Sequence, residues 1–330
     1  MRYGLPYKGS KNAIAKWIIG NLPKADTFVD LFFGGGAVTH VALLSGKYER
    51  FVINDIDGRL PKLFLECVYG KHTVDNHSEW VSRSEFHAKK ESDAYIALIW
   101  SFGNNGIDYI YGADIEDMKH AYHKAVYFDD LDALKPYGYN LTRSHEKSVY
   151  GRYLEYQRQI KRQTQGAMLE VVSRQVEVER LQSLQSLQSL QSLQSLQSLQ
   201  SLQSLQSLQK DYQDVVIPDN AVVYCDPPYA NTNCGKYDGF DSDRFHEWAR
   251  GQHNIFISEY SMPDDFVRVA SIEKQVLSSA KGNSNKAIEG LYTNRQTWES
   301  MTDIQRDYYR TQNFEQPTIF DFMQYSKGGD

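Results

Sequence analysis

The chain has few cysteines and lacks the spacing of a cysteine metal site. Its 330 residues include three cysteines, Cys67, Cys225 and Cys234, and no CxxC pair. This pattern argues against a disulfide scaffold and against a zinc site built on cysteine. The histidines also show no spacing that would pair them as metal ligands. We therefore expect a protein that uses no metal.

Long apolar runs and an excess of positive charge are missing as well. No stretch approaches the roughly 20 apolar residues of a membrane-spanning helix, and residues 1–4 (MRYG) do not begin a signal peptide. Lys and Arg total 36 against 42 Asp and Glu, a net charge of -6. These observations exclude a membrane partner and a global basic footprint for nucleic acid, and we expect a cytoplasmic protein.

Positive charge is instead concentrated in two stretches of the chain. Residues 1–24 contain five Lys or Arg and no acidic residue, and residues 135–180 contain nine Lys or Arg and five Glu. Both stretches are candidates for contacts with phosphate groups, and an ordinary solvated surface is the alternative.

Apolar runs separated by turn signals predict an α/β fold. The predicted strands are residues 27–33, 50–53, 221–225, 255–258 and 267–272, and the predicted helices are residues 37–45 and 241–250. Asp241 or Ser242 is the expected cap of the second helix. Strands and helices that alternate at this spacing form a doubly wound, mostly parallel sheet, whose ligands bind beyond the carboxyl ends of its strands.

A low-complexity repeat lies in the middle of the chain. Residues 181–209 consist of nine Leu-Gln-Ser units followed by Leu-Gln. In an α-helix this repeat moves each leucine back by about 60° per unit, and in a strand it alternates the leucines between faces. Because Leu and Gln favour helix, we expect a helical or partly mobile insertion whose length is not critical. It is either an inert spacer or an arm that contacts a partner.

A glycine-rich turn follows the first predicted strand. Residues 30–37 read Asp-Leu-Phe-Phe-Gly-Gly-Gly-Ala, and glycines there let the backbone approach a ligand closely. The pattern is not the dinucleotide GxGxxG, and a plain tight turn is the alternative. About 20 residues further on, Asp55 ends the next strand, where an acidic residue suits a ribose diol. Together the two features favour a cofactor that contains a nucleoside.

A second motif, Asp226-Pro227-Pro228-Tyr229, directly follows the strand predicted at residues 221–225. The two prolines fix the backbone, so that the Asp226 carboxylate and a carbonyl point to one place outside the sheet. Tyr229 can offer its ring face to a planar base. A simple turn would explain one proline but not this combination. The arrangement suits an exocyclic amine with two N–H donors.

With these motifs in this order, the chain resembles the Dam-type, phage-like DNA adenine-N6 methyltransferases. The resemblance covers about residues 1–110 and 215–300, and it rests on the motifs at residues 7–11, 30–36, 54–57, 100–112, 226–229, 237–240, 257–260 and 289–294. It implies a Rossmann-like methyltransferase sheet, S-adenosylmethionine as cofactor, no metal, and double-stranded DNA as partner.

The resemblance also implies roles for single residues. Tyr7 and Lys11 would hold the methionine end of the cofactor, and Asp55 would hold the ribose. The full set implied for the cofactor is Tyr7, Lys11, Asp30, Phe32, Phe33, Gly34, Gly35, Gly36, Asp55 and Asp226. The implied catalytic residues are Asp226, Pro227 and Tyr229. The implied substrate contacts are Asn104, Asn105, Gly106 and Tyr237.

The implied reaction is methylation of N6 of an adenine that has left the DNA stack. The Asp226 carboxylate and the Pro227 carbonyl would accept hydrogen bonds from the two N–H groups of the amine and so make its lone pair available. Tyr229 would stack on the base. The expected organisation is a catalytic domain of residues 1–70 and 213–301, a target-recognition region at 71–180, the repeat at 181–209 and a tail at 302–330.

Two other functions stay open on the sequence alone. One is a related aminomethyltransferase that acts on cytosine N4 or on RNA, although Asp rather than Ser at position 226 favours adenine. The other is a module that binds the cofactor and DNA without turnover. The arginine and the Arg-Tyr-Asn run of GATC-reading relatives are absent, so no recognition sequence is predicted. We expect a monomer that acts alone in a phage or protects DNA beside a restriction endonuclease.

Overall fold

The structure, a computed structural model, contains two compact units. The helical unit comprises residues 1–10 and 62–194, and the sheet unit comprises residues 11–61 and 195–330. The residues that the structure describes are 2–163, 180, 183–184, 187–188, 190–194, 202–228, 239–277 and 284–311. Among these residues, none of the helices has the length and apolar composition of a membrane-spanning segment.

The sheet unit contains a seven-stranded sheet in the order β3-β2-β1-β4-β5-β7-β6. Its strands are β1 (Thr27–Asp30), β2 (Arg50–Asn54), β3 (Leu205–Leu208), β4 (Ala221–Cys225), β5 (Ile255–Glu259), β6 (Val267–Leu277) and β7 (Ser284–Thr293). Strands β1 to β5 pair in parallel, and β7 runs antiparallel to both β5 and β6. The predicted doubly wound, mostly parallel sheet is therefore confirmed.

Ten α-helices are described with full bounds. They are α1 (Ala15–Asn21), α2 (Ala37–Ser45), α3 (Arg59–Val68), α4 (Arg83–Lys89), α5 (Ala94–Ile99), α6 (Glu116–Phe128), α7 (Val149–Gln163), α8 (Ser242–Arg250), α9 (Arg295–Ser300) and α10 (Asp303–Thr311). The predicted helices at α2 and α8 are confirmed, and the Asp241 side chain caps α8 by accepting a hydrogen bond from the Arg244 amide.

The central strands of the sheet are apolar in sequence and buried in the structure. All residues of β1, β4 and β5 are buried, as expected for parallel strands that are covered on both faces. One face packs on Phe245 and Ala249 of α8. The strand predicted at residues 27–33 ends earlier, at Asp30, because the following residues turn towards β2, where the Phe33 amide donates to the Asn54 carbonyl.

The strand order reverses direction between β1 and β4. The chain runs outward through β2 and β3 on one side and through β4 and β5 on the other. In the parallel register, Asp30 at the end of β1 lies opposite Tyr224 of β4, which places Asp226 just beyond the same edge. A reversal of this kind leaves a crevice at the carboxyl ends of the strands, where such sheets bind ligands.

The expectation that the Leu-Gln-Ser repeat is a helical or partly mobile insertion is wrong for residues 205–208. These residues form β3, which pairs in parallel with β2 at the edge of the sheet. Leu205 and Leu208 are both half-buried, and Leu208 packs against the core of the sheet unit. Leucines that alternate between two faces are acceptable in this sheet, because a parallel sheet is covered on both of them.

Another part of the repeat forms a 3₁₀ helix, which has a different period from the α-helix. Leu190–Gln194 is a 3₁₀ helix, and the side chains of Leu190 and Leu193 are fully buried. A 3₁₀ helix has three residues per turn, so a three-residue repeat places its leucines on one face. The period of the repeat therefore matches a helix of this type.

The hydrogen bonds of β3 give a prediction for two neighbouring proline substitutions. The Leu208 carbonyl accepts from the Asp55 amide of the chain that continues β2. Because bonding directions alternate along a strand, the Gln206 amide also faces β2, whereas the Ser207 amide faces the outer edge. We expect Gln206→Pro to lower the free energy of unfolding by about 3 kcal/mol and Ser207→Pro by much less.

Urea unfolding of the two variants and the wild type measures this difference. Ser207→Pro is the matched control, since it introduces the same residue one position away. Equal losses of stability in both variants would contradict the pairing of β3 with β2.

Candidate functional site

The glycine turn after β1 forms one wall of the candidate site. Gly34 and Gly36 have φ angles of 50° and 67°, in the left-handed region that favours glycine. A Cβ atom at Gly36 would lie 2.2 Å from the ring of Phe33, so a side chain has no room there. Gly36 precedes α2, whose first amides point away from the helix. The turn therefore presents bare backbone beside the sheet edge.

Asp55 connects this turn to the end of β2. Its carboxylate accepts hydrogen bonds from the Gly34 amide at 2.7 Å and from the Asp57 amide at 2.8 Å. The neighbouring Asn54 donates from its amide nitrogen to the carbonyls of Leu31 and Lys210. These bonds fix the Asp55 carboxylate at the end of β2, beside the glycine turn.

Asp30 places a buried carboxyl at the base of the site. It is 1% exposed, and its Oδ2 accepts a hydrogen bond from the Thr39 hydroxyl at 2.6 Å. Its Oδ1 has no hydrogen-bond partner among the described residues. Burial raises the pKa of Asp30 to about 7, against the Thr39 hydrogen bond and with help from the charges of Asp226 and Asp55.

Lys11 and Asp226 form an ion pair at the carboxyl end of β4. The Lys11 Nζ lies 2.5 Å from Asp226 Oδ1 and 3.3 Å from Glu289 Oε1 in β7. The side chain of Asp226 is 21% exposed, whereas those of Lys11 and Glu289 are 5% and 0% exposed. One ammonium group is thus shared by two carboxylates, of which only Asp226 reaches solvent.

A third carboxyl lies close to this pair. Glu259 ends β5 and is paired in register with Gly290, next to Glu289 in β7. The pKa of Glu259 is raised to about 7, chiefly by burial and also by the charges of Asp226 and Glu289, while the hydrogen bond from the Tyr260 amide and the charge of Lys11 oppose the shift. Sequence reasoning assigned no role to Glu259 or Glu289, although acidic residues inside apolar strands are an available signal of a site.

Aromatic rings support the turn from the side of α8. Phe32 packs in edge-to-face contacts against Phe240 and Phe245, with ring centroids 5.8 and 5.5 Å apart, and it also contacts Tyr212. Phe33 is buried beneath Gly36. The two phenylalanines of the motif therefore hold the position of the glycine turn.

Two predicted site residues, Tyr229 and Tyr237, lie outside the described residues. Pro227 is buried directly after Asp226. Cys225 is buried as well, and burial raises the pKa of its thiol, so it acts as a core residue of β4. Within the described parts of the chain, no group of three His, Cys, Asp or Glu side chains could hold a metal ion.

The predicted residues of the helical unit are described separately. Tyr7 is half-buried, and its carbonyl accepts from the Ser10 amide. Asn104 donates from its side chain to the Leu98 carbonyl at 2.8 Å, and the Asn105 side chain accepts from the Ile107 amide at 2.8 Å.

The substrate contacts predicted for residues 104–106 are half-buried and help to close their own loop. The Gly106 amide donates to the Ser101 hydroxyl at 2.9 Å. Phe102 and Ile107 are the exposed apolar side chains of this loop. The contact of the loop with a substrate stays a prediction.

Comparison with known proteins agrees with this geometry. The family model of the D12 class N6 adenine-specific DNA methyltransferases matches residues 7–306 of the 330. The match includes the glycine turn, the acidic residues at the strand ends and residues 62–194 of the helical unit, and its length establishes the family. A search of the curated proteins finds no match.

The buried carboxyl of Asp30 predicts how stability depends on pH. The folded state raises its pKa from 3.8 to about 7, so the folded protein binds this proton more tightly than the unfolded chain. The contribution of Asp30 is therefore complete below about pH 4 and is lost as the pH rises towards 7. We expect Asp30→Asn, which cannot ionise, to flatten this decline in urea unfolding at stepped pH.

Asp264→Asn is the control, because it removes an exposed carboxylate of the same unit. It should retain the decline of the wild type. A decline in Asp30→Asn as steep as that of the wild type would show that Asp30 does not carry this linkage.

The glycine turn predicts a large difference between two alanine substitutions. Gly36→Ala strains a positive φ and drives a methyl group into the Phe33 ring, so we expect a loss of about 2 kcal/mol in the free energy of unfolding. Gly20→Ala, in α1, meets no atom within 4 Å and should be neutral or stabilising. Thermal and urea unfolding measure both, and equal stabilities would contradict the packing at Gly36.

Proposed function

Because this chain belongs to the D12 class of N6 adenine-specific DNA methyltransferases, we propose that it transfers a methyl group from S-adenosylmethionine to N6 of an adenine in duplex DNA. The observation that carries the proposal is the partly exposed Asp226 carboxylate, held by Lys11 at the end of β4, beside the glycine turn. Both walls of this crevice come from the reversal of strand order between β1 and β4.

The described residues fit such a cofactor. When bound, S-adenosylmethionine supplies the activated methyl group as a sulfonium. Asp30 Oδ1 is a buried acceptor without a hydrogen-bond partner among the described residues, which suits an amino group. Gly34 and Gly36 hold the turn in a left-handed backbone conformation beside the sheet edge, and we assign the ribose hydroxyls to Asp55. The family resemblance alone adds Tyr7, Lys11, Phe32 and Phe33 to the proposed set.

The chemistry assigned to the protein is positioning and hydrogen bonding. The N6 amine of adenine is a poor nucleophile, because its lone pair is delocalised into the ring. The Asp226 carboxylate and the Pro227 carbonyl accept hydrogen bonds from its two N–H groups and so favour a nitrogen with an available lone pair. The rigid Pro227-Pro228 backbone fixes these two acceptors relative to one another. We assign stacking on the base to Tyr229.

The target adenine has to leave the duplex to reach this carboxylate. An enzyme that modifies a base edge inside a helix extrudes the nucleotide, at a cost of a few kcal/mol. We assign the reading of DNA to the region of residues 71–180, with Asn104, Asn105, Gly106 and Tyr237 as substrate contacts. The basic stretches at residues 1–24 and 135–180 supply positive charge for phosphate groups in a chain whose net charge is -6.

The direct test is incubation of the purified protein with S-adenosylmethionine and unmethylated duplex DNA, followed by digestion to nucleosides and mass spectrometry. We expect N6-methyladenine from the wild type. Asp226→Asn keeps the size of the side chain but removes the charge that accepts from the amine, so its rate should fall about 100-fold or more. Asp264→Asn, an exposed substitution in the same unit, should retain the wild-type rate.

Two results would contradict the proposal. N4-methylcytosine as the product would replace adenine as the target. No methylated base on any DNA, together with cofactor binding measured by calorimetry, would indicate an RNA substrate or a binding role.

A further inference from the structure

Two glutamine side chains of α7 hold the segment that precedes this helix. The Asn140 amide donates to Gln163 Oε1 at 3.1 Å, and Gln163 Nε2 donates back to the Asn140 carbonyl at 2.5 Å. Two residues further on, Thr142 exchanges the same pair of bonds with Gln159, at 2.8 and 3.0 Å. We call residues 140–147 the α7 strap.

The hydrogen bonds show that the first part of the α7 strap is extended. Alternate residues direct both their N–H and their C=O groups to α7, which is the period of a β-strand. The Ser144 amide continues the pattern by donating to the Tyr156 hydroxyl at 3.2 Å. Two residues of extended chain span about 6.8 Å and four residues of an α-helix rise about 6 Å, so glutamines four positions apart match alternate residues of the strap.

The side chains of the α7 strap alternate in the same way. The Thr142 hydroxyl donates to Gln159 Oε1 at 3.2 Å, and the Ser144 hydroxyl donates to the Glu155 carboxylate. The residues that alternate with these two are basic and exposed, and they are Arg143, His145 and Lys147.

These basic side chains are available to a partner. The side chain of Arg143 is 75% exposed, and its Nε lies 3.7 Å from Asp129 Oδ2, which is longer than a direct hydrogen bond. Within the ranges that the structure describes, the side chains of His145 and Lys147 form no ion pair. A contact as exposed as that of Arg143 contributes little to stability, so it does not oppose binding elsewhere.

The outer face of α7 extends the positive charge of the strap. Arg158 and Arg162 are exposed and lie one helical turn apart, on the side of α7 that faces away from its buried residues Tyr156 and Ile160. Arg162 follows Gln159 by three positions, so this row of the helix borders the strap. Neither arginine forms an ion pair with another described residue.

We propose that the exposed cations of the α7 strap and of this row of α7 bind the sugar-phosphate backbone of duplex DNA. This inference rests on the proposed function, because it assigns residues to the same DNA. Basic side chains on alternate residues of a chain held in place are regularly spaced, as are the phosphates of one DNA strand. The residues of this surface, which we call the strap surface, are Arg143, His145, Lys147, Arg158 and Arg162.

The strap surface is a selected part of the basic stretch at residues 135–180. Lys135 is excluded from it, because its ammonium pairs with Asp132 at 2.7 Å. Arg152 is excluded as well, because its Nε donates to the Val126 carbonyl at 2.8 Å. The structure thus separates cations that serve the protein itself from cations that face solvent.

Salt titration of DNA binding tests the strap surface directly. The logarithm of the association constant falls linearly with the logarithm of the salt concentration, with a slope of about 0.9 for each phosphate that a cation neutralises. We expect Arg143→Gln/Lys147→Gln to reduce this slope by about two. The measurement is fluorescence anisotropy with a labelled, unmethylated duplex of mixed sequence.

The matched control removes the same charge elsewhere in the helical unit. Lys71→Gln/Lys89→Gln neutralises two exposed lysines, each of which pairs with a glutamate. This variant should keep the wild-type slope.

A second variant tests Gln159 and Gln163 as positioning residues of the strap. Gln159→Met/Gln163→Met removes the bonds to the strap and leaves every charge in place, and we expect a shallower slope because the strap no longer presents its cations in order. A variant that is less stable but keeps the wild-type slope would show that the glutamines only support the fold. Gln157→Met, which loses a bond to the Tyr153 hydroxyl on the same helix, is the control.

The outcomes separate the strap surface from the proposed reaction. An unchanged slope in Arg143→Gln/Lys147→Gln would overturn the strap surface, even if the wild type methylates adenine. A shallower slope in a protein that binds DNA but methylates none would support the surface while the proposed reaction fails. A slope that changes with duplex RNA but not with duplex DNA would overturn DNA as the partner, and a wild type that binds no DNA would overturn both proposals.

Discussion

The pairing of β1 with β4 is the constraint on which the site depends. It joins segments that are far apart in the chain and sets Asp30 and Asp226 beyond the same edge of the sheet. The pairing of β4 with β5, and of β5 with β7, then adds Glu259 and Glu289 on neighbouring strands. Acidic residues scattered over the sequence thus converge because the strands have one order and one register. A shift of register by one residue would turn these side chains to the other face.

Buried acids of this kind oppose folding, and the apolar strands around them make the cluster possible. Burial raises the pKa of Asp30 and of Glu259 to about 7, which means that each is easier to bury with its proton. Glu289 is stabilised instead by Lys11. The fully buried residues of β4 and β5 supply hydrophobic stabilisation that offsets these terms. Carboxyl groups that reduce stability in this way are typical of functional sites.

The local part of this arrangement is predictable from the sequence, and the long-range part is not. The glycine turn at residues 30–37 and the acid at Asp226 each carry a local pattern, and the structure places both at the predicted sheet edge. Glu259 and Glu289 lie in the motifs at residues 257–260 and 289–294, but these motifs assign them no role, because their proximity to Lys11 arises from the antiparallel addition of β7 to a parallel sheet. Acidic residues within apolar stretches can be seen in the sequence, but the contact between Lys11 and Glu289 cannot.

The conformation of the Leu-Gln-Ser repeat also depends on long-range contacts that the sequence does not show. Its period fits neither an isolated α-helix nor an isolated strand, and contacts with the rest of the chain set its conformation. At Leu205–Leu208 the edge of β2 supplies hydrogen bonds, and the core accepts Leu208, so four repeat residues become β3. At Leu190–Gln194 the same letters form a 3₁₀ helix with buried leucines. Identical triplets therefore adopt the conformation that the surrounding contacts stabilise, because Leu-Gln-Ser has only a weak conformational preference of its own.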